Sequence, residues 1–159
     1  MIRRFFTTAA VFALALAVTP SLTTAGEADQ ASAPLHTTAL GLSGYSPVSY
    51  FSEDGPHVGS PEFAAEHAGV TYFFADSAEK KEFLADPEKF TPAYGGWCAY
   101  GMAVDNYFPV NPTLYKIVDG RLMLFLHNDQ ANALELWNAA DESELVAKAD
   151  NFWAAENSE

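Results

Sequence analysis

One thiol, one thioether and one imidazole carry the most specific chemistry in this chain. Cys98 is the only cysteine among 159 residues. It lies in the stretch GGWCAYGMA, with Met102 four positions later. A helix over 92–102, entered through Pro92 or through Gly95-Gly96, would set both side chains on one face, a turn apart. Thiolate and thioether form a soft donor pair suited to Cu(I). A third donor would come from elsewhere, and His127, just after a predicted strand over 121–126, is the natural imidazole. The candidate metal ligands are therefore Cys98, Met102 and His127, with copper as the cofactor they would hold.

The same thiol has two other readings. Were Gly95-Gly96 to open the helix so that Cys98 lay in its first turn, the backbone N–H groups there would stabilise a thiolate. A nearby histidine would then complete a Cys-His nucleophile or redox pair. Among Trp97, Ala99 and Tyr100, a lone cysteine can also be a small buried hydrophobe with no chemistry. Tyr94, Trp97, Tyr100, Tyr107 and Phe108 could line a small-molecule pocket or belong to the core.

Several function classes are excluded. No Gly-rich phosphate loop follows a strand, and there is no His-Glu-x-x-His and no paired-cysteine zinc spacing. Asp54, Asp105, Asp119 and Asp129 lack calcium-loop spacing. One cysteine makes no internal disulfide. The reading is thus a binding module without catalysis.

The elements that must position these residues read as follows. Residues 1–25 have Arg3 and Arg4, an apolar run over 5–18 and small residues before Ala25, the layout of a cleaved export signal. The run is too short to span a membrane comfortably. Arg3-Arg4-Phe5-Phe6 also partly fits the twin-arginine pattern, so both export routes stay open. Cleavage after Ala25 implies a periplasmic or secreted protein. Loss of Arg3 and Arg4 takes the formal net charge from −13 to −15. So acidic a surface repels nucleic acid and anionic lipid. The mature form is expected to have no stable membrane insertion. No protein partner is legible.

Residues 26–40, rich in Ala, Ser, Thr and acids, read as a flexible leader, and 41–159 as one domain. Pro47 leads into a short strand over 48–51. Strands over 62–67 and 70–74 flank Ala68-Gly69 as a hairpin, and strands over 115–118 and 121–126 flank Asp119-Gly120 as another. Asp76 and Glu79 form a capping box before a helix carrying Phe83 and Leu84. Asp86-Pro87 ends it and starts a short second helix to Phe90. Helices over 129–139 and 141–153 follow, with Leu134, Leu136 and Trp137 apolar in the first. Hairpins with helices between and after them predict an α+β fold built on a small antiparallel sheet.

Gly69 to Phe90 reads GVTYFFADSAEKKEFLADPEKF. Through Gly69, Tyr72, Phe74, Phe83, Asp86, Pro87, Lys89 and Phe90 it resembles the YHS-domain family, which is linked to heavy-metal transport. Pro47-Val48 matches the family's opening. YGGWCAYG and KIVDGRLML resemble a secreted, free-standing branch. The resemblance implies the α+β fold and its aromatic packing. Metal-handling members carry cysteines where this chain has Ser49, Ala75 and Glu79, so the family's metal site does not transfer.

Overall fold

The computed structural model describes residues 40–158. The expected signal segment and nearly all of the leader lie outside that range. Two antiparallel two-stranded sheets and a set of short helices make up the described chain, as the α+β reading predicts. Strands β1 (Ser60–His67) and β2 (Val70–Phe74) form the first hairpin. Strands β3 (Asn111–Val118) and β4 (Arg121–Phe125) form the second. Helices α1 (Ser77–Ala85) and α2 (Pro87–Phe90) follow the first hairpin. The short α3 (Ala99–Ala103) precedes the second, and α4 (Ala133–Asn138) and α5 (Glu142–Glu156) follow it.

Both hairpins turn where their sequence says they should. Asp119 and Gly120 have φ of 51° and 75°, and Ala68 and Gly69 have 48° and 77°. Two successive positive φ values give the tight turn whose twist matches its strands. Gly and Asp accept that backbone readily, whereas alanine is strained there. Ala68→Asn is therefore expected to raise stability by about 1 kcal/mol, read as a rise of a few degrees in Tm. An unchanged or lowered Tm would count against the strain.

The cap of α1 forms with one change. Asp76 Oδ1 accepts the N–H groups of Ala78 and Glu79. Glu79 returns its carboxylate to the N–H of Ala75, one residue before the cap. Asp86-Pro87 breaks the chain between α1 and α2 as expected.

Two expected elements are absent. The strand over 48–51 is instead a 3-10 turn, Ser49–Phe51. Ser49 donates both its N–H and its hydroxyl to the Ser46 carbonyl, and that local bonding competes with extension. The helix over 92–102 is replaced by a tight turn, Ala93–Gly96, an extended Trp97-Cys98 and then α3. Tyr94, Gly95 and Gly96 have φ of 55°, 59° and 86°, values no right-handed helix admits. The helix predicted over 129–139 is shorter because Asn132 caps it, accepting the N–H groups of Leu134 and Glu135.

Two apolar clusters fill the interior. One joins Leu42, Val48, Tyr50, Tyr72, Phe74, Phe83 and Phe90 to Leu122 and Leu124 of β4. The other gathers Cys98, Met102, Met123, Phe125, Trp137 and Ala149. Strand β4 is buried on both faces, so its residues serve the two clusters alternately. Among the described residues no helix is long and apolar enough to cross a membrane.

Candidate functional site

Cys98 ends the extended segment before α3 and stands at that helix's N-cap. Its side chain does not cap the helix. The Sγ accepts the backbone N–H of Leu126 at 3.3 Å, the first N–H beyond β4. Cys98 also donates its own N–H to the Phe108 carbonyl at 3.2 Å. Gly101 lets the chain close around it: a Cβ there would approach the Asn106 carbonyl oxygen to 2.8 Å and the Phe108 ring to 2.9 Å. The thiol is thus tied to β4 from a position packed by backbone and rings, and its accessibility is 0%.

Met102 does lie one turn from Cys98, and its N–H bonds the Cys98 carbonyl at 3.0 Å. Its side chain too has no exposed surface. His127 is exposed, just past Leu126, where it bridges to Asn132. The candidate ligands therefore include two side chains inside the second apolar cluster and one on the surface. Among the described residues no three His, Cys, Asp or Glu side chains are grouped so as to hold a metal ion.

The aromatic candidates separate in the same way. Trp97 meets Tyr107 edge-on at 5.3 Å, and Tyr107 meets Phe152 at 5.7 Å; with Tyr100 and Phe108 they pack against the core. Tyr94 is buried, and its hydroxyl donates to Asp150 Oδ1 at 2.8 Å. Arg121 grips the same carboxylate through two nitrogens, at 2.7 and 3.0 Å, with its guanidinium over the Tyr94 ring. Trp153 closes on the pair edge-on at 6.2 Å. Tyr94, Arg121, Trp153 and Glu88 border an open cleft of about 260 Å³.

The Arg121 bonds hold the Asp150 carboxyl below its ordinary value of 3.8, against the opposing effect of burial. Lys116 and then Trp137 Nε1, both donating to Glu142, lower that carboxyl from 4.5. A carboxyl depressed in the folded state contributes stability that is complete above its unfolded value and is lost as pH falls through the folded one. Denaturant midpoints are expected to fall as pH drops from about 5 toward 2. Asp150→Asn should flatten part of that slope, and an unchanged slope would contradict the assignment. Both carboxylates are half-exposed, so the effect is screened and modest.

A second polar cluster escapes sequence reading. Glu79 collects the Ser46 hydroxyl at 2.7 Å, the Ala75 N–H at 2.9 Å and His57 Nε2 at 2.8 Å. Ser49 Oγ accepts the His57 N–H at 3.1 Å. Ser46 and Ser49 are buried, while the His57 side chain is 43% exposed. Through this contact His57 is clasped onto α1. Ser46 and His57 lie 33 and 22 residues before Glu79 in sequence, and only the capping pattern at Asp76 hinted at Glu79's position. Compared with known proteins, the chain matches no family model, no curated protein and no solved structure.

Proposed function

We propose that this is an exported, non-catalytic binding domain of YHS type in which Cys98 serves the fold rather than a reaction. One observation carries the reading: the sulfur has no accessible surface, and its acceptor capacity goes to the Leu126 N–H. A nucleophile or redox thiol needs a path to its substrate, and the buried Cys98 side chain presents no surface to one. Free cysteines in such surroundings behave as small hydrophobes with a weak polar handle. Ligand contact then falls to the surface, with the cleft beside Tyr94, Arg121 and Trp153 as the concave candidate.

Copper association is the second reading. It is favoured by the one-turn spacing of Cys98 and Met102 and by His127 following the residue that bonds the sulfur. It requires α3 to lift from β4, since soft ligands must reach the ion. Titration of the mature protein with Cu(I) against a competing chelator, repeated with Cys98→Ser, separates the two. Equal and weak competition by both proteins is expected. A tight site lost in the variant would overturn the structural reading in favour of copper. Export is tested by mass spectrometry of the N-terminus, which should begin after Ala25.

A further inference from the structure

We infer that residues 40–85 and 92–138 are two copies of one structural unit, in which Ser46 and Cys98 occupy the same position. Each copy opens on a four-residue turn, Gly41–Gly44 or Ala93–Gly96. The inner residues of both turns are left-handed: Leu42 and Ser43 at φ of 54° and 53°, Tyr94 and Gly95 at 55° and 59°. A glycine closes each, at 88° and 86°. The N–H after each turn bonds back to the second residue, Tyr45 to Leu42 and Trp97 to Tyr94. Left-handed pairs are costly for residues with a side chain, so the repeated pattern is not a default of the backbone.

The correspondence continues, the offset of 52 residues at the opening turn (Gly41 to Ala93) becoming 51 through the hairpin (Ser60 to Asn111). Ser46 donates its N–H to the His57 carbonyl at 2.9 Å, as Cys98 does to Phe108 at 3.2 Å. A short helical segment follows, Ser49–Phe51 or Ala99–Ala103. The hairpins have equal strand lengths. Their registers slip at the same place, between Ser60 and Ala64 and between Asn111 and Tyr115. Their turns share the same two positive φ values. The residue before each opening turn makes a parallel bridge to the second strand, Leu40 to Thr71 and Pro92 to Leu122. An Asx-capped helix closes each copy, behind Asp76 or Asn132. The second copy carries a longer loop before its cap.

The units differ in how they satisfy the N–H that leaves the second strand. In the second, Cys98 Sγ accepts it from Leu126. In the first, the Glu79 carboxylate accepts it from Ala75, and Ser46 donates to that carboxylate. Glu79 and Cys98 thus do one job from two places in the unit. Each copy thus pairs the first N–H beyond its second strand with a side-chain acceptor of its own.

The test grafts the second unit's solution onto the first. Backbone hydrogen exchange is followed by NMR in the reduced full chain, with Phe74 as a reference. Glu79→Ala is expected to speed exchange at Ala75 by about tenfold. Adding Ser46→Cys should restore most of that protection, because the new thiol occupies the place of Cys98. Glu79→Gln, which keeps an acceptor oxygen, should exchange nearly as the parent and guards against a general loss of fold. No rescue by Ser46→Cys, or no change at Ala75 in Glu79→Ala, would overturn the equivalence. The experiment lies wholly in the first unit, so its outcome is independent of copper binding at Cys98.

Discussion

Trp137→Ala is expected to lower the stability of the domain by about 3–5 kcal/mol. Trp137 has no accessible surface and is the largest fully buried side chain among the described residues. Its ring meets Phe125 of β4 at 5.4 Å, and its Nε1 donates to Glu142 at 2.8 Å. Glu142 in turn holds Lys116 of β3. The indole therefore ties α4 to the second sheet and to the start of α5. Truncation removes the apolar contact, leaves a cavity beside the Cys98 cluster and takes a donor from Glu142. Trp137→Phe should recover most of the packing and lose only the hydrogen bond, at about 1–2 kcal/mol. Leu136→Ala is the control. Its side chain is among the exposed apolar ones, and its loss should cost less than about 0.5 kcal/mol. Denaturant midpoints of the three variants would show the ordering, and an equal effect at 136 and 137 would contradict it.

Gly59→Ala should be comparably severe for a different reason. Gly59 donates its N–H to the Gly44 carbonyl at 2.8 Å and leads into β1. A Cβ at this position would lie 2.6 Å from the Phe73 carbonyl oxygen and from the Phe74 N, and against the Phe73 carbonyl carbon as well. All three are backbone atoms of β2, so no rotamer relieves the clash and the strands must separate. Overpacking that backbone cannot absorb costs about 3 kcal/mol or more, a drop in Tm of roughly 10 °C. Gly69→Ala provides the comparison. Nothing lies within 4 Å of its Cβ site, so only the strain of φ at 77° remains, about 1–2 kcal/mol. A Gly59→Ala protein as stable as Gly69→Ala would show that β1 and β2 do not approach so closely.

The elements set by local chemistry were legible in the sequence. Asp119-Gly120 and Ala68-Gly69 mark both hairpins, Asp76 marks the start of α1, and Asp86-Pro87 marks its end. These signals act over a few residues, within the range where one side chain decides a backbone angle. The turn at 93–96 was not legible as a helix breaker. Gly95 and Gly96 permit left-handed backbone without requiring it, and the Tyr94 conformation is fixed by Asp150, Arg121 and Trp153 far along the chain. The cluster of Ser46, His57 and Glu79 escaped for the same reason. The pairing of Cys98 with Met102 at one turn's spacing was readable, but their burial depends on Trp137, Phe125 and Ala149 closing over them. The repeat was invisible because equivalent positions hold unlike residues, such as Ser46 and Cys98. What recurs is dihedral angle and register rather than side-chain identity.

The burial of one sulfur is decisive, and the rate of its alkylation by iodoacetamide measures that directly. In native buffer Cys98 should react no faster than the domain unfolds, and in denaturant it should react at the rate of a free thiol. The native rate should then rise in Trp137→Ala in proportion to the loss of stability. Rapid modification of the native parent protein, at a rate independent of its stability, would contradict the claim that Cys98 serves as a buried acceptor for the Leu126 N–H.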